Sequence, residues 1–173
     1  MQPSPSIGAG MARGAIAILL LFLAVDAAPA QRRRLPNYNY IEKGLWLGGR
    51  VDEPPEGVTA VLNVCELKDV FRTEHYLWKP IHDGKNAATL EFLQETVAFI
   101  DRNRKAGRSV YVHCNEGVSR GPLVMAAYLM YAKGWTRRQA LDYLREARPV
   151  VRPNPSFMDL LYFWEEKLKQ DVQ

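Results

Sequence analysis

A β-forming run, Ser109–Cys114 (SVYVHC), leads through the loop Asn115–Gly121 (NEGVSRG) into an apolar helix that starts at Pro122 and reaches Ala132. This unit constrains the fold more than any other stretch of the chain. Two β-branched residues and a tyrosine in the run suit a buried strand. Pro122 suits a helix's first turn, where its missing N–H costs nothing. Gly134 stands where a helix of this length ends. A strand that passes within a few residues into a buried helix is the repeating unit of an α/β sheet.

The flanking sequence extends that pattern. Short β-rich runs come first, at Tyr38–Ile41, Leu45–Leu47, Val58–Cys65 and Tyr76–Ile81. Thr89 reads as an N-cap for a helix carrying Leu90, Leu93, Val97 and Ile100, and Gly107 stops the chain soon after. Thr136 and Gln139 have capping-box spacing and open a helix to about Arg148. Pro155 opens the last helix, with Phe157, Leu160, Leu161, Trp164 and Leu168 as its apolar stripe. The expectation is an α/β fold whose central, mostly parallel sheet of four to five strands is flanked by helices. Residues 37–170 form that domain, and residues 31–36 are a basic linker before it.

Charge excludes some partners. The net charge is +4, but Arg32, Arg33 and Arg34 are adjacent, and residues 35–173 hold 19 basic and 18 acidic side chains. There is no broad basic face, so nucleic acid is not an expected partner. Two cysteines, Cys65 and Cys114, are too few for a disulfide scaffold. With only His75, His82 and His113 beside them they lack a zinc-site pattern, so no metal or cofactor is expected.

Ala15–Val25 is an uninterrupted apolar run of 11 residues. As a helix it would cover about 16 Å, roughly half of a bilayer's hydrocarbon core, which suits a signal-peptide core. Ala28-Pro29-Ala30 supplies small residues for cleavage before Gln31, and Met11 would give a compact leader. The three arginines after the run favour the other reading, a retained membrane anchor. Residues 1–30 are therefore expected to be a signal peptide or anchor helix outside the fold. The chain is then exported (secreted or periplasmic) or membrane-anchored, with residues 15–25 the segment that would associate with a membrane.

The chemistry concentrates in His113-Cys114-Asn115-Glu116-Gly117-Val118-Ser119-Arg120-Gly121. A loop entering a helix N-terminus turns successive N–H groups toward one point, and the helix dipole adds positive potential there. Gly117 permits the tight curvature. Arg120 brings a planar fork that matches two phosphate oxygens. Asn115, Glu116, Gly117, Val118, Ser119 and Arg120 thus make a cradle for a dianion, with Cys114 at its floor. The amides, the dipole and Arg120 favour the thiolate of Cys114, the form that attacks. In-line attack on a bound phosphate monoester would give a cysteinyl-phosphate.

The HCxxGxSR string resembles the signature of the cysteine-dependent protein tyrosine phosphatase superfamily, and its small dual-specificity branch most of all. Leu45-Trp46-Leu47-Gly48-Gly49, Val61-Leu62-Asn63-Val64 and Arg152-Pro153-Asn154-Pro155 also resemble that branch, so the likeness spans about residues 37–168. It implies a phosphatase acting on phosphotyrosine and phosphoserine or phosphothreonine in proteins, with Cys114 as nucleophile and Arg120 as clamp. Its general acid is an Asp on an upstream loop; Asp83 fits, with Gly84 as a hinge, whereas Asp69 and Asp101 are worse placed. His113 would orient the loop and tune the thiolate. Ser119 would bond loop backbone or sulfur, or serve as structural support alone. Cys65 stands where some members carry a second cysteine that bonds the catalytic one, a candidate redox partner; a small buried hydrophobe is the plainer reading.

Two residues depart from the family pattern. Gly121 replaces the usual Ser or Thr whose hydroxyl stabilises the departing thiolate, which implies slow breakdown of the cysteinyl-phosphate. Glu116 replaces a common Ala and is expected on the solvated rim. Two alternatives to a protein phosphatase stay open: a phosphate-binding module with negligible turnover, and a phosphatase of phospholipid or nucleotide phosphates.

Overall fold

The computed structural model describes Met1, residues 37–85 and residues 87–171. The expected leader and basic linker, apart from Met1, lie outside the described residues. In chain order the elements are β1 (Tyr38–Glu42), β2 (Leu45–Gly48), β3 (Val58–Asn63), β4 (His75–Trp78), α1 (Leu90–Lys105), β5 (Ser109–His113), α2 (Arg120–Lys133), α3 (Arg137–Ala147) and α4 (Pro155–Gln170). Among the described residues no helix is long and apolar enough to cross a membrane.

The five strands form one sheet in the order β1-β2-β5-β3-β4. Only β1 and β2 pair antiparallel; β2–β5, β5–β3 and β3–β4 are parallel. The expected mostly parallel sheet is thus observed, with β5 at its centre. Two strands end earlier than their apolar runs. The Asn63 side chain accepts from Cys65 N at 2.7 Å, a local turn that takes the chain out of the ladder after Asn63. Pro80, with no N–H to donate, limits β4, which spans His75–Trp78.

The helix signals act where the sequence puts them. Thr89 accepts from Phe92 N, Thr136 and Gln139 close a capping box, and Asn154 caps α4. Gly134 ends α2 in the left-handed region at φ 65°. That helix starts at Arg120, two residues before Pro122, and every side chain from Arg120 to Met130 is buried. Alternation along the strands divides the apolar residues between the two sheet faces. Leu45, Leu47, Ala60, Leu62, Val110 and Val112 join the helices in the main core. Val58, Val61 and Tyr111 form a smaller cluster on the other face, with Tyr38, Trp46, Val51, Phe71 and Tyr76 packed against it.

Candidate active site

Because β5 is central and parallel to both neighbours, the loop after it opens at the carboxyl edge of the sheet, where α/β folds place their ligands. Four carbonyls of this loop are tied from outside. Asn115 O accepts from Arg50 N at 2.9 Å and Val118 O from Arg152 N at 2.7 Å. Glu116 O and Gly117 O accept from Arg148 Nη2 and Nε, at 2.7 and 2.9 Å. A trans peptide sets each C=O opposite the following N–H. Tying the carbonyls outward therefore turns the amides of Glu116, Gly117, Val118 and Ser119 inward. Gly117 sits at φ 66°, and a Cβ there would strike Gly48 backbone and Arg148. Only glycine fits that point.

Arg148 is the residue that sequence reasoning missed most completely. It is 6% exposed and also donates to Asn39 Oδ1 and Asn37 Oδ1, both at 2.7 Å. A single guanidinium thus ties the cradle to the first strand. Nothing in its local sequence, the end of a helix, marks that role.

Cys114 lies at the base of the loop, 2% exposed and unpaired, its amide bonded to Gly48 O at 3.3 Å. Arg120 is 5% exposed. Its Nη1 donates to Glu66 Oε2 at 2.5 Å and to Ile81 O at 3.0 Å. Burial alone would lower the Arg120 pKa, but the bond to Glu66 and the adjacent Cys114 outweigh it and leave it raised. The same bond holds the Glu66 carboxyl below its ordinary value. Glu66 was not singled out from sequence, where it is one acidic residue of a charged loop.

Asp83 comes to the front of the cradle, its Oδ2 4.0 Å from Arg120 Nε. Two donors meet its other oxygen: Ser119 Oγ and Asn154 Nδ2 each reach Oδ1 at 2.7 Å. The Ser119 oxygen in turn accepts from Asn154 N at 3.1 Å. Of the two readings of Ser119, bonding to loop backbone or sulfur is not seen, and structural support is. Its hydroxyl serves the Asp83 loop and α4 instead, because Asn154 lies within reach once α4 is packed. Glu116 is exposed, as a rim residue should be, and so is Asn115.

Behind the cradle a set of polar side chains closes on one another. His113 and Asp69 side chains are both 0% exposed, and Asp69 Oδ2 accepts from His113 Nε2 at 2.9 Å. Asn63 Nδ2 and Tyr76 OH donate to the same oxygen at 3.0 and 3.1 Å. The His113 ring stacks on Tyr111, with centroids 5.0 Å apart, and its Nδ1 is 3.8 Å from Cys65 Sγ. Asp69 is thus a partner of His113, while Asp101 pairs with Lys105 on α1 at 2.7 Å. Burial, then the neighbouring Cys114, pushes the Cys65 thiol up to about 12. Gly121 is buried where a Cβ would stand 3.2 Å from Leu47 Cδ1 and 3.5 Å from Cys114 N. Among the described residues no cluster of side chains has the make-up of a metal site.

A cysteine and an arginine joined by an amide-lined loop at the carboxyl edge of a parallel sheet define the class of cysteine-dependent phosphatase domains. Residues 54–167 match the family "Dual specificity phosphatase, catalytic domain", and the chain belongs to that family. It is 39% identical to rat dual specificity protein phosphatase 5 over 113 residues, 64% of this chain and 29% of that protein. Against rat protein phosphatase Slingshot homolog 3 the identity is 37% over 110 residues, 62% of this chain and 17% of that protein. The chain therefore spans well under half the length of these relatives. A mouse putative dual specificity phosphatase, crystallised with zinc tungstate, superposes with a TM-score of 0.76 at 27% identity, covering 84% of this chain and 97% of that one.

Proposed function

We propose that this chain is a cysteine-dependent phosphatase that hydrolyses phosphate monoesters, with phosphotyrosine and phosphoserine or phosphothreonine of proteins as substrates. The observation that carries this reading is the cradle itself: four loop carbonyls tied outward, amides inward, Cys114 at the base and Arg120 held alongside. Tungstate in the related mouse protein is a tetrahedral oxyanion, the shape such a cradle fits.

The amides of residues 116–119 and the Arg120 guanidinium bind the three non-bridging oxygens and set phosphorus in line with Cys114 Sγ. The sulfur attacks, the P–O ester bond breaks, and the leaving oxygen takes the proton of Asp83. Since Ser119 and Asn154 both donate to Oδ1, that proton resides on Oδ2, the oxygen nearer Arg120. The resulting carboxylate then takes a proton from water as that water displaces sulfur from phosphorus. Glu66 holds the clamp in place before substrate arrives.

The test is turnover of an aryl phosphate by the wild-type chain and by Cys114→Ser. Loss of all turnover in the variant, with phosphate analogues still bound, is the expected result. Residual turnover at the wild-type rate would overturn the assignment. Gly121 supports a slow second step, because no hydroxyl is available at that position to stabilise the departing thiolate. Rapid mixing should show a burst near one equivalent, and a linear course from the first milliseconds would count against it. Export, or anchoring through residues 15–25, is part of the proposal, and the N-terminal residue of the mature chain separates them: cleavage before Gln31 is expected for export, an intact leader for an anchor.

A further inference from the structure

We infer that Asn154 is a positioning residue for the proton-donating step, an inference that rests on Asp83 being the general acid. The Asn154 side chain has two ends with two tasks. Its Oδ1 accepts from Phe157 N at 2.9 Å and caps α4, while its Nδ2 donates to Asp83 Oδ1 at 2.7 Å. Its backbone N–H donates to Ser119 Oγ at 3.1 Å, and the Ser119 hydroxyl donates to the same Asp83 oxygen at 2.7 Å. Three elements distant in sequence (the Asp83 loop, the cradle and the start of α4) therefore meet at one carboxylate oxygen.

The chemistry follows from which oxygen is occupied. A protonated carboxyl has one O–H, and an oxygen already accepting two hydrogen bonds is the poorer place for it. Asn154 and Ser119 thereby select Oδ2 as the O–H, the oxygen 4.0 Å from Arg120 Nε and so the one turned toward the cradle. Asp83 sits beside Gly84 on a loop, with its side chain 39% exposed, so little packing would otherwise fix its rotamer. Because Asn154 is anchored by capping a 16-residue helix, its amide is a fixed point rather than a second mobile group.

The experiment compares two esters in the full chain. Phenyl phosphate has a poor leaving group that needs a proton, whereas 2,4-dinitrophenyl phosphate leaves as a stable anion and does not. Asn154→Ser keeps a capping oxygen at the head of α4 but loses the donor to Asp83. It is expected to lower kcat/KM on phenyl phosphate by roughly tenfold and on the dinitrophenyl ester by less than about twofold, part of the ~10²–10⁴-fold that general acid catalysis supplies. Asp83→Asn should show the larger selective loss, and adding Asn154→Ser to it should cost nothing more. If Asp83→Asn is selective while Asn154→Ser affects both esters equally, or neither, the inference fails and Asp83 stands. If Asp83→Asn shows no selectivity, the assignment of the acid fails first, and the inference falls with it. Should Asn154→Ser not fold, Asn154→Thr also keeps a capping oxygen and removes the amide donor, and is judged by the same selectivity.

Discussion

Two aspartates, both from loops that follow β-rich runs, end on opposite sides of one cradle. Asp83 stands in front, 39% exposed, with Oδ1 held by Ser119 and Asn154 and Oδ2 4.0 Å from Arg120 Nε. Asp69 stands behind, fully buried, with His113, Asn63 and Tyr76 gathered on a single oxygen. Each is a carboxylate accepting from several donors, yet the roles diverge through solvent access. A carboxylate at an open mouth can exchange protons with substrate and water. The Asp69 carboxylate, enclosed by its own donors, instead keeps the buried His113 and Asn63 side chains satisfied.

The comparison is open to direct attack by mutation. The largest effect on stability is expected at the back. Asp69→Asn removes the charge that buried His113 and Asn63 and half-buried Tyr76 converge on, for a loss of about 2–3 kcal/mol, since strong bonds are weakened and polar groups left partly unpaired inside the protein. Urea denaturation measures it. Asp83→Asn, by contrast, should leave the midpoint nearly unchanged while lowering turnover of poor leaving groups. If the two swapped behaviour, the division into front and back would be wrong.

A somewhat smaller effect is expected from Arg148→Lys. An ammonium cannot meet Gly117 O, Glu116 O, Asn37 and Asn39 in the planar arrangement the guanidinium uses. Roughly 1–2 kcal/mol of stability should be lost, with weaker inhibition by inorganic phosphate because the amides are no longer held inward. Full retention of phosphate affinity would show that the loop keeps its shape without the outer ties.

The smallest effect belongs to Glu66→Gln. The bond to Arg120 lowers the Glu66 pKa, so its contribution is present above the ordinary carboxylate range and is lost as pH falls through the lowered value. At 41% side-chain exposure solvent screens the pair, and less than about 1 kcal/mol is expected at neutral pH. A stability profile that is flatter at acid pH in the variant than in the wild type is the expected signature.

The second cysteine belongs to the same comparison. Cys65 is buried behind the loop with Cys114 nearby, and both are free thiols. If an oxidant links them, a Cys65–Cys114 peptide should be recovered by mass spectrometry; overoxidised Cys114 with free Cys65 would reject the pairing.

Legibility followed distance along the chain. The cradle, from Cys114 to Arg120, is contiguous, and its strand, loop and helix carry local signals in β-branching, glycine and proline. Helix caps at Thr89, Thr136 and Asn154 act within three or four residues, so they too could be read in place. Asp83 was chosen over Asp69 by family resemblance; the sequence around each says only that it lies in a loop. Arg148 and Glu66 carried no local mark, because their partners lie 31 and 54 residues away.

What residue order alone determined is thus the α/β pattern and the presence of a thiol among amides and a guanidinium, since both arise from interactions within one or two turns of chain. Only the folded tertiary arrangement decided which carboxylate lies beside Arg120, which pairs with His113 behind the loop, and which arginine is tied to the loop carbonyls. Those assignments depend on where the loops after β3 and β4 and the start of α4 meet the loop after β5, and burial is a property of that meeting rather than of any single segment.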